Sequence, residues 1–166
     1  MLTRRAVLPT RLGELTVVLE GDAVAGLYFP GHWRDPQRAE VGEEVAHDPL
    51  AAMVHQQLGE YLDGARRSFE LPLALRGSDF HRRVWERLLA IPYGEKVTYG
   101  ALATELGAAA QAIGGAVGQN PVSIIVPCHR VVGADGSLTG YAGGIERKRA
   151  LLELEEPAAD RVDRLF

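Results

Sequence analysis

The chain has 166 residues, 46% of them hydrophobic and 24% charged, which is typical of a globular protein with one good-sized domain or two small ones. No apolar run approaches the roughly 20 residues of a membrane span, and no hydrophobic signal core follows the first residues, so we expect a cytoplasmic protein without membrane association. The single cysteine excludes an intramolecular disulfide and any metal site built from several cysteines. The net charge of -4 argues against a general basic surface for nucleic acid. Any DNA binding must depend on a local patch, and that binding should be weak on undamaged DNA and sensitive to salt.

The first part of the chain, residues 1–76, predicts a small α/β domain. Two aliphatic and β-branched runs, Leu15–Glu20 and Ala23–Phe29, flank Gly21 and Asp22, which is typical of a β-hairpin with a two-residue turn. Residues 30–49 are charged and interrupted by glycine and proline, and we interpret them as a loop.

A helix and an edge strand are predicted to complete this domain. Asp48 and Pro49 are a typical N-cap and first helical residue, apolar residues then recur at helical spacing, and Gly64 can end the helix. A strand with one buried face is predicted beyond it, at an edge because of an internal proline. Its alternating apolar residues are Phe69, Leu71, Leu73 and Leu75.

Residues 77–166 predict a second, mainly α domain with a winged helix-turn-helix. Ser78 or Asp79 can cap its first helix. Thr98 can cap a helix over Tyr99–Leu106 that Gly107 ends, and a further helix over Ala109–Gly118 follows after a short turn. The second helix of such a pair is the one presented to DNA.

The helix predicted over Ala109–Gly118 consists mainly of alanine and glycine. Each glycine inside a helix costs roughly 1 kcal/mol relative to alanine, so some other interaction must offset this cost. Small side chains could let the helix backbone approach a sugar-phosphate surface closely, or they could allow tight packing against a neighbouring element. Composition alone leaves both interpretations open.

Cys128 follows an apolar run and Pro127, and it directly precedes His129 and Arg130. An imidazole and a guanidinium beside a thiol favour the nucleophilic thiolate. A lone cysteine is nevertheless often a buried core residue. Downstream, the glycine-rich segment 140–144 lacks the context of a phosphate-binding loop but could form a pocket wall against a flat ligand, and a last helix is predicted over Ile145–Leu154.

The region from about Phe80 to Glu155 carries several short motifs in order. They are Ile91-Pro92-Tyr93-Gly94-Glu95, Thr98-Tyr99-Gly100, Ala112-Ile113-Gly114-Gly115-Ala116, Asn120-Pro121, Pro127-Cys128-His129-Arg130 with Val131-Val132-Gly133, and Gly140-Tyr141-Ala142-Gly143-Gly144. Together these motifs resemble the O6-alkylguanine-DNA alkyltransferase family. The first domain resembles that family only in its layout.

The resemblance implies a direct-reversal DNA repair protein that acts once. It would bind double-stranded DNA through the minor groove as a monomer, flip out the damaged base, and move a methyl or larger alkyl group from guanine O6, or from thymine O4, to Cys128. The product is a thioether that water does not release, and the chain has no second thiol, so one turnover is expected. No metal or organic cofactor is expected.

The resemblance also implies a role for each site residue. His129 would act as base through a water molecule, Glu155 would orient it, Asn120 would brace the cysteine segment, and Tyr99 would donate a hydrogen bond to the departing guanine. The remaining residues are predicted to contact the base or the DNA. Those at the base are Val131, Tyr141, Ala142 and Gly143, and those at the DNA are Gln111, Ala112, Gly114, Gly115 and Arg130.

The sequence departs from the family pattern at Gln111, where an arginine usually fills the gap left by the flipped base. Glutamine lacks the charge and stacking plane of a guanidinium, so we expect weaker DNA affinity or slower flipping. The sequence leaves two alternative functions. A non-catalytic sensor of alkylated bases usually has tryptophan in place of Cys128, and a cysteine hydrolase would need an oxyanion hole that nothing in the sequence marks.

Overall fold

A computed structural model of the chain describes residues 3–31 and 42–156. Most of the predicted loop, at residues 32–41, and the tail at 157–166 lie outside the described residues. In order, the elements are β1 (Thr3–Thr10), β2 (Gly13–Glu20), β3 (Ala23–Tyr28), β4 (Glu43–Glu44), α1 (Pro49–Leu62), α2 (Asp79–Leu89), β5 (Val97–Thr98), α3 (Tyr99–Leu106), α4 (Ala110–Gly118), β6 (Val131–Val132) and α5 (Ile145–Glu155).

The first half is a mixed sheet in the strand order β3-β2-β1-β4. The predicted hairpin is confirmed as the antiparallel pair β2–β3, with Gly21 in the left-handed region at φ 60°. The strand β1 was not predicted, because only Ala6 and Leu8 are buried and half of its sequence is polar. It pairs antiparallel with β2 from Thr3↔Glu20 to Thr10↔Gly13, and β4 pairs parallel to it.

Helix α1 packs on this sheet and begins as predicted. The Asp48 carboxylate accepts hydrogen bonds from the backbone N–H groups of Leu50 and Ala51, and Pro49 occupies the first turn. This arrangement satisfies donors that would otherwise lack partners at the helix start. The buried face of α1 carries Tyr61 near its C-terminal end.

The predicted strand at residues 69–75 is wrong in extent. This segment is extended and makes a single bridge, between Leu73 and Val24 of β3. Its bonds are Val24 N–H to the Pro72 carbonyl at 2.8 Å and Ala74 N–H to the Val24 carbonyl at 2.9 Å. Pro72 has no N–H to donate, so the ladder cannot continue on the N-terminal side of this bridge.

The second half contains the predicted helix-turn-helix, formed by α3 and α4. Thr98 caps α3 through its side chain, and Gly107 ends α3 at φ 65°. Helix α2, capped by Ser78, packs against α4, and the Trp85 indole N–H donates to the Ala116 carbonyl at 2.8 Å. The fold is therefore the predicted small α/β domain followed by a mainly α domain with this DNA-binding motif.

Backbone pairing joins the two halves. The Leu27 N–H of β3 donates to the Pro121 carbonyl at 2.8 Å, and the Ser123 N–H donates to the Leu27 carbonyl at 3.1 Å. Buried side chains from both halves form one continuous apolar cluster. The predicted division at residue 76 falls between α1 and α2 and stays a prediction. None of the helices within residues 3–31 and 42–156 is long and apolar enough to cross a membrane.

Candidate active site

Cys128 begins a single 3₁₀ turn, Cys128–Arg130, which follows a buried apolar segment. The Asn120 side chain holds this segment: its amide donates to the Val126 carbonyl at 2.8 Å, and its oxygen accepts from the Val122 N–H at 2.9 Å. Between them Ile124 adopts φ 71°, a strained conformation for a β-branched residue. The geometry is consistent with the predicted bracing role of Asn120.

A short parallel pairing brings the helix-turn-helix to the cysteine turn. Strand β5 pairs with β6 in the register Val97↔Val131 and Thr98↔Val132. Because β6 directly follows the cysteine turn and β5 directly precedes α3, this pairing places Tyr99, the first residue of α3, beside the site.

The carboxylate of Glu155, at the end of α5, is the centre of a buried cluster. Its Oε2 accepts from His129 Nε2 at 2.8 Å and from Arg130 Nη2 at 2.9 Å, and its Oε1 accepts from Arg130 Nε at 2.8 Å. Burial alone raises the pKa of Glu155, but the hydrogen bonds from His129 and Arg130 outweigh it and bring the pKa to about 2. Glu155 is therefore ionised at neutral pH.

His129 is held as a neutral base. Burial lowers its pKa, the positive charges of Arg130 and Lys148 act in the same direction, and the bond to Glu155 opposes them. An ionised carboxylate only accepts hydrogen bonds, so Nε2 must carry the proton of the neutral ring. The lone pair is then on Nδ1, which is buried and has no hydrogen-bond partner among the described residues.

The Cys128 thiol is buried, and burial raises its pKa, while a hydrogen bond from Asn120 and the charge of Lys148 lower it in part. The thiol is consequently protonated at rest, and a base must take its proton before the sulfur can act as a strong nucleophile.

Lys148 on α5 is a residue of the site that the sequence interpretation missed. Its side chain is buried, and Nζ donates to the carbonyls of Val131 at 2.7 Å and Thr139 at 2.9 Å. Nζ also lies 6.0 Å from the centre of the Tyr99 ring. Lys148 lies four residues before Leu152 and seven before Glu155 on α5. Residues at these spacings lie on one face of a helix, and this pattern is the signal that could have found Lys148.

A pocket of about 430 Å³ opens between α3, α4 and the glycine-rich segment. Burial raises the pKa of Tyr99, so its hydroxyl keeps its proton and can donate. The lining residues are Tyr99, Ala110, Gly114, Gly118, Thr139, Gly140, Tyr141 and Ala142.

The structure does not bring all four predicted base contacts to this pocket. Tyr141 and Ala142 line it. Val131 is fully buried in β6 with its carbonyl bound by Lys148. Gly143 packs behind the wall, where an added Cβ would lie 2.5 Å from the Phe29 ring. Gly143 thus permits close packing of the wall against β3.

Of the predicted DNA contacts, those on α4 are accessible and Arg130 is not. Gln111, Ala112 and Gly115 are exposed, and Gly114 is partly so. Arg130 is buried, with its guanidinium on Glu155 and, at 2.6 Å, on the Ile91 carbonyl. These bonds within the protein speak against a DNA contact by Arg130, and they make it a support for Glu155.

Comparison with known proteins then identifies the family. Residues 3–75 match the family model of the 6-O-methylguanine DNA methyltransferase ribonuclease-like domain, and residues 79–157 match that of the DNA-binding domain. The chain belongs to the 6-O-methylguanine DNA methyltransferase family. The resemblance seen in its motifs is thereby confirmed.

Relatives within this family match over most of their length. A methylated-DNA–protein-cysteine methyltransferase of Mycolicibacterium paratuberculosis is 56% identical over 147 residues, 87% of each chain. The inducible enzyme of that name from Bacillus subtilis is 46% identical over 93% of this chain and 85% of its own. The crystal structure of Mycobacterium tuberculosis OGT in complex with DNA matches with a TM-score of 0.82 and 42% identity, covering 93% of this chain and 96% of that one.

Proposed function

We propose that this protein repairs O6-alkylguanine in DNA by transferring the alkyl group irreversibly to Cys128. One observation supports this function above the others. The only thiol of the chain is buried in a turn whose next residue is a neutral histidine, and that histidine is held in one tautomer by an ionised carboxylate. A Cys-His-carboxylate arrangement of this kind generates a thiolate where the thiol alone would stay protonated.

The transfer is a displacement at the alkyl carbon. The Cys128 proton passes to Nδ1 of His129, through a bridging water molecule as the family resemblance implies. The sulfur lone pair then forms the S–C bond while the C–O6 bond breaks, and its electron pair moves into the guanine ring. The guanine finally takes up a proton, and Cys128 is left as a thioether.

Tyr99 lowers the barrier for the departing guanine. Negative charge develops on the base as the C–O6 bond breaks, and a donor at the base edge stabilises it. Tyr99 lines the pocket and keeps its phenolic proton because burial raises its pKa. Tyr141 and Ala142 provide the wall against which a flipped base can pack.

Helix α4 is the element that we assign to the minor groove. An added Cβ at Gly114, Gly115 or Gly118 would meet no atom within 4 Å in the described part of the chain, apart from the neighbouring residues and backbone of α4 itself. Packing inside the protein therefore does not require these glycines. Close approach of the helix to a sugar-phosphate backbone is the interpretation that accounts for them.

Three further features of the proposal follow from the sequence and the family. The protein acts as a monomer, works in the cytoplasm, and also accepts O4-alkylthymine. A sensor that binds without reacting is disfavoured, because Cys128 is present and its base is in place.

The decisive test is to incubate the protein with a duplex containing O6-methylguanine and to measure the mass of the protein. We expect a gain of one methyl group on Cys128 in wild type and no gain in Cys128→Ala. Tight binding to the lesion without any mass gain would instead identify a sensor. If the protein neither bound the lesion nor gained mass, both functions would be contradicted.

A further inference from the structure

The N-terminal half places one side chain on the carboxylate of the active site. Tyr61 of α1 is fully buried, and its hydroxyl donates a hydrogen bond to Oε2 of Glu155, 94 residues away. This is the same oxygen that accepts from His129 Nε2. Burial, together with the negative charge of Glu155, raises the pKa of Tyr61, so the phenol remains a neutral donor.

The ring of Tyr61 is fixed independently of its hydroxyl. Its centre lies 5.2 Å from that of Phe69 and 6.1 Å from that of Tyr93, the latter at an angle of 86°. Because the aromatic contacts orient the ring, removing only the hydroxyl should leave the packing of the two halves in place.

We propose that Tyr61 is a positioning residue for the relay: by donating to the Glu155 oxygen that also binds His129, it takes up part of the carboxylate charge and keeps His129 available as a base. The inference rests on the proposed alkyl transfer. It extends that function by giving the N-terminal half a part in it beyond support of the second domain.

Tyr61 and His129 compete for the negative charge of one oxygen, Oε2 of Glu155. A carboxylate stabilises a neighbouring imidazolium in proportion to the negative charge left on the accepting oxygen. The hydroxyl of Tyr61 reduces that charge, so a proton on His129 Nδ1 is less favoured in the resting protein. Without the hydroxyl, His129 would be protonated at a higher pH and would lose its lone pair on Nδ1.

Several other ionisable groups surround His129 and Glu155. Because the substitution Tyr61→Phe leaves these groups in place, they do not account for a change in the pKa of His129 in that variant. They are Arg130 and Cys128 on the cysteine turn, Lys148 on α5, Tyr93 between α2 and β5, and Tyr141 in the glycine-rich segment.

The test is the pH dependence of single-turnover methyl transfer in Tyr61→Phe. At pH 6 we expect transfer about tenfold slower than in wild type, because more His129 is protonated. At pH 8.5 the two rates should approach each other. Tyr93→Phe is the matched control, since it removes a hydroxyl of the same cluster that bonds the Leu154 carbonyl at 3.2 Å.

A titration of the His129 ring nitrogens by NMR in the free protein tests the same idea without any substrate. The pKa of His129 should rise in Tyr61→Phe and stay unchanged in Tyr93→Phe. Replacing Tyr61 with a fluorotyrosine, whose hydroxyl is a stronger donor, should lower it. An unchanged His129 titration in Tyr61→Phe, or a rate loss of equal size at all pH values, would overturn the proposal.

These measurements also separate the inference from the proposed function. A wild-type protein that transfers no methyl group contradicts the proposed function. The NMR titration still decides whether Tyr61 controls the protonation of His129.

Discussion

At the residue scale, the reactivity of Cys128 depends on opposing effects on its pKa. Burial raises the pKa of the thiol, whereas Asn120 and the charge of Lys148 lower it. Lys148 is itself buried, and burial lowers its own pKa, partly offset by Cys128. Its two hydrogen bonds to backbone carbonyls keep the ammonium group at this position.

We therefore expect Lys148→Met to raise the pKa of Cys128. Methionine has a similar length without a charge, so the thiolate loses a stabilising cation. The rate of Cys128 alkylation by iodoacetamide, followed by mass spectrometry across pH, should move to higher pH by roughly one unit.

The only other lysine of the chain provides a matched control. Lys96 is exposed, and Lys96→Met should leave the alkylation profile of Cys128 unchanged. If Lys148→Met gave the wild-type profile, Lys148 would be a structural residue that holds the Val131 and Thr139 carbonyls and nothing more.

At the scale of the elements, local signals sufficed for the helices and failed for contacts between distant segments. Asp48 and Thr98 cap their helices as the sequence predicts, and Ser78 is the cap of the two candidates Ser78 and Asp79, because a cap depends on residues only two or three positions away. Strand β1 was missed because only Ala6 and Leu8 of its residues are buried and its pairing with β2 leaves no local pattern. The contact between Tyr61 and Glu155 was missed because the two residues are 94 positions apart in the chain.

A substitution of Gly115 in α4 should change the stability of the protein and its affinity for DNA in opposite directions. Gly115 is exposed and an added Cβ meets nothing within the described structure outside its own helix and adjacent residues. Gly115→Ala should raise the free energy of unfolding by about 0.5–1 kcal/mol, because alanine favours the helix. The new methyl group should weaken DNA binding several-fold by keeping the helix backbone away from the groove.

Gly59 in α1 is the control for this substitution. It is also a helical glycine with nothing within 4 Å of an added Cβ in the described structure, its own helix backbone and adjacent residues excluded. Gly59→Ala should raise stability to a similar extent without any change in DNA affinity. Denaturant unfolding and fluorescence polarisation with a labelled duplex measure the two quantities. Equal DNA affinity in Gly115→Ala and wild type would contradict the assignment of α4 to the groove.

At the scale of the whole molecule, the two halves form one functional unit. The N-terminal half provides Tyr61 to the active-site carboxylate, and Arg147 of α5 bonds the Leu12 carbonyl at 2.8 Å and the Gly143 carbonyl at 3.0 Å. The two bonds from Arg147 connect the turn between β1 and β2 to the pocket wall.

Because the net charge of the molecule is negative, its affinity for DNA depends on a small number of contacting side chains. With a net charge of -4, general attraction to DNA is weak, and α4 presents Gln111 where the motif resemblance implies an arginine. We expect Gln111→Arg to bind a duplex more tightly and to speed repair. The slope of log affinity against log salt concentration should become steeper by about one.

Gln119→Arg, at the other end of the same helix, separates the effect of charge from the effect of position. Both variants should steepen the salt dependence, but only the arginine at 111 can fill the gap left by a flipped base and accelerate methyl transfer. If Gln111→Arg bound DNA no more tightly than wild type and transferred the methyl group no faster, glutamine at this position would not limit DNA affinity or repair rate.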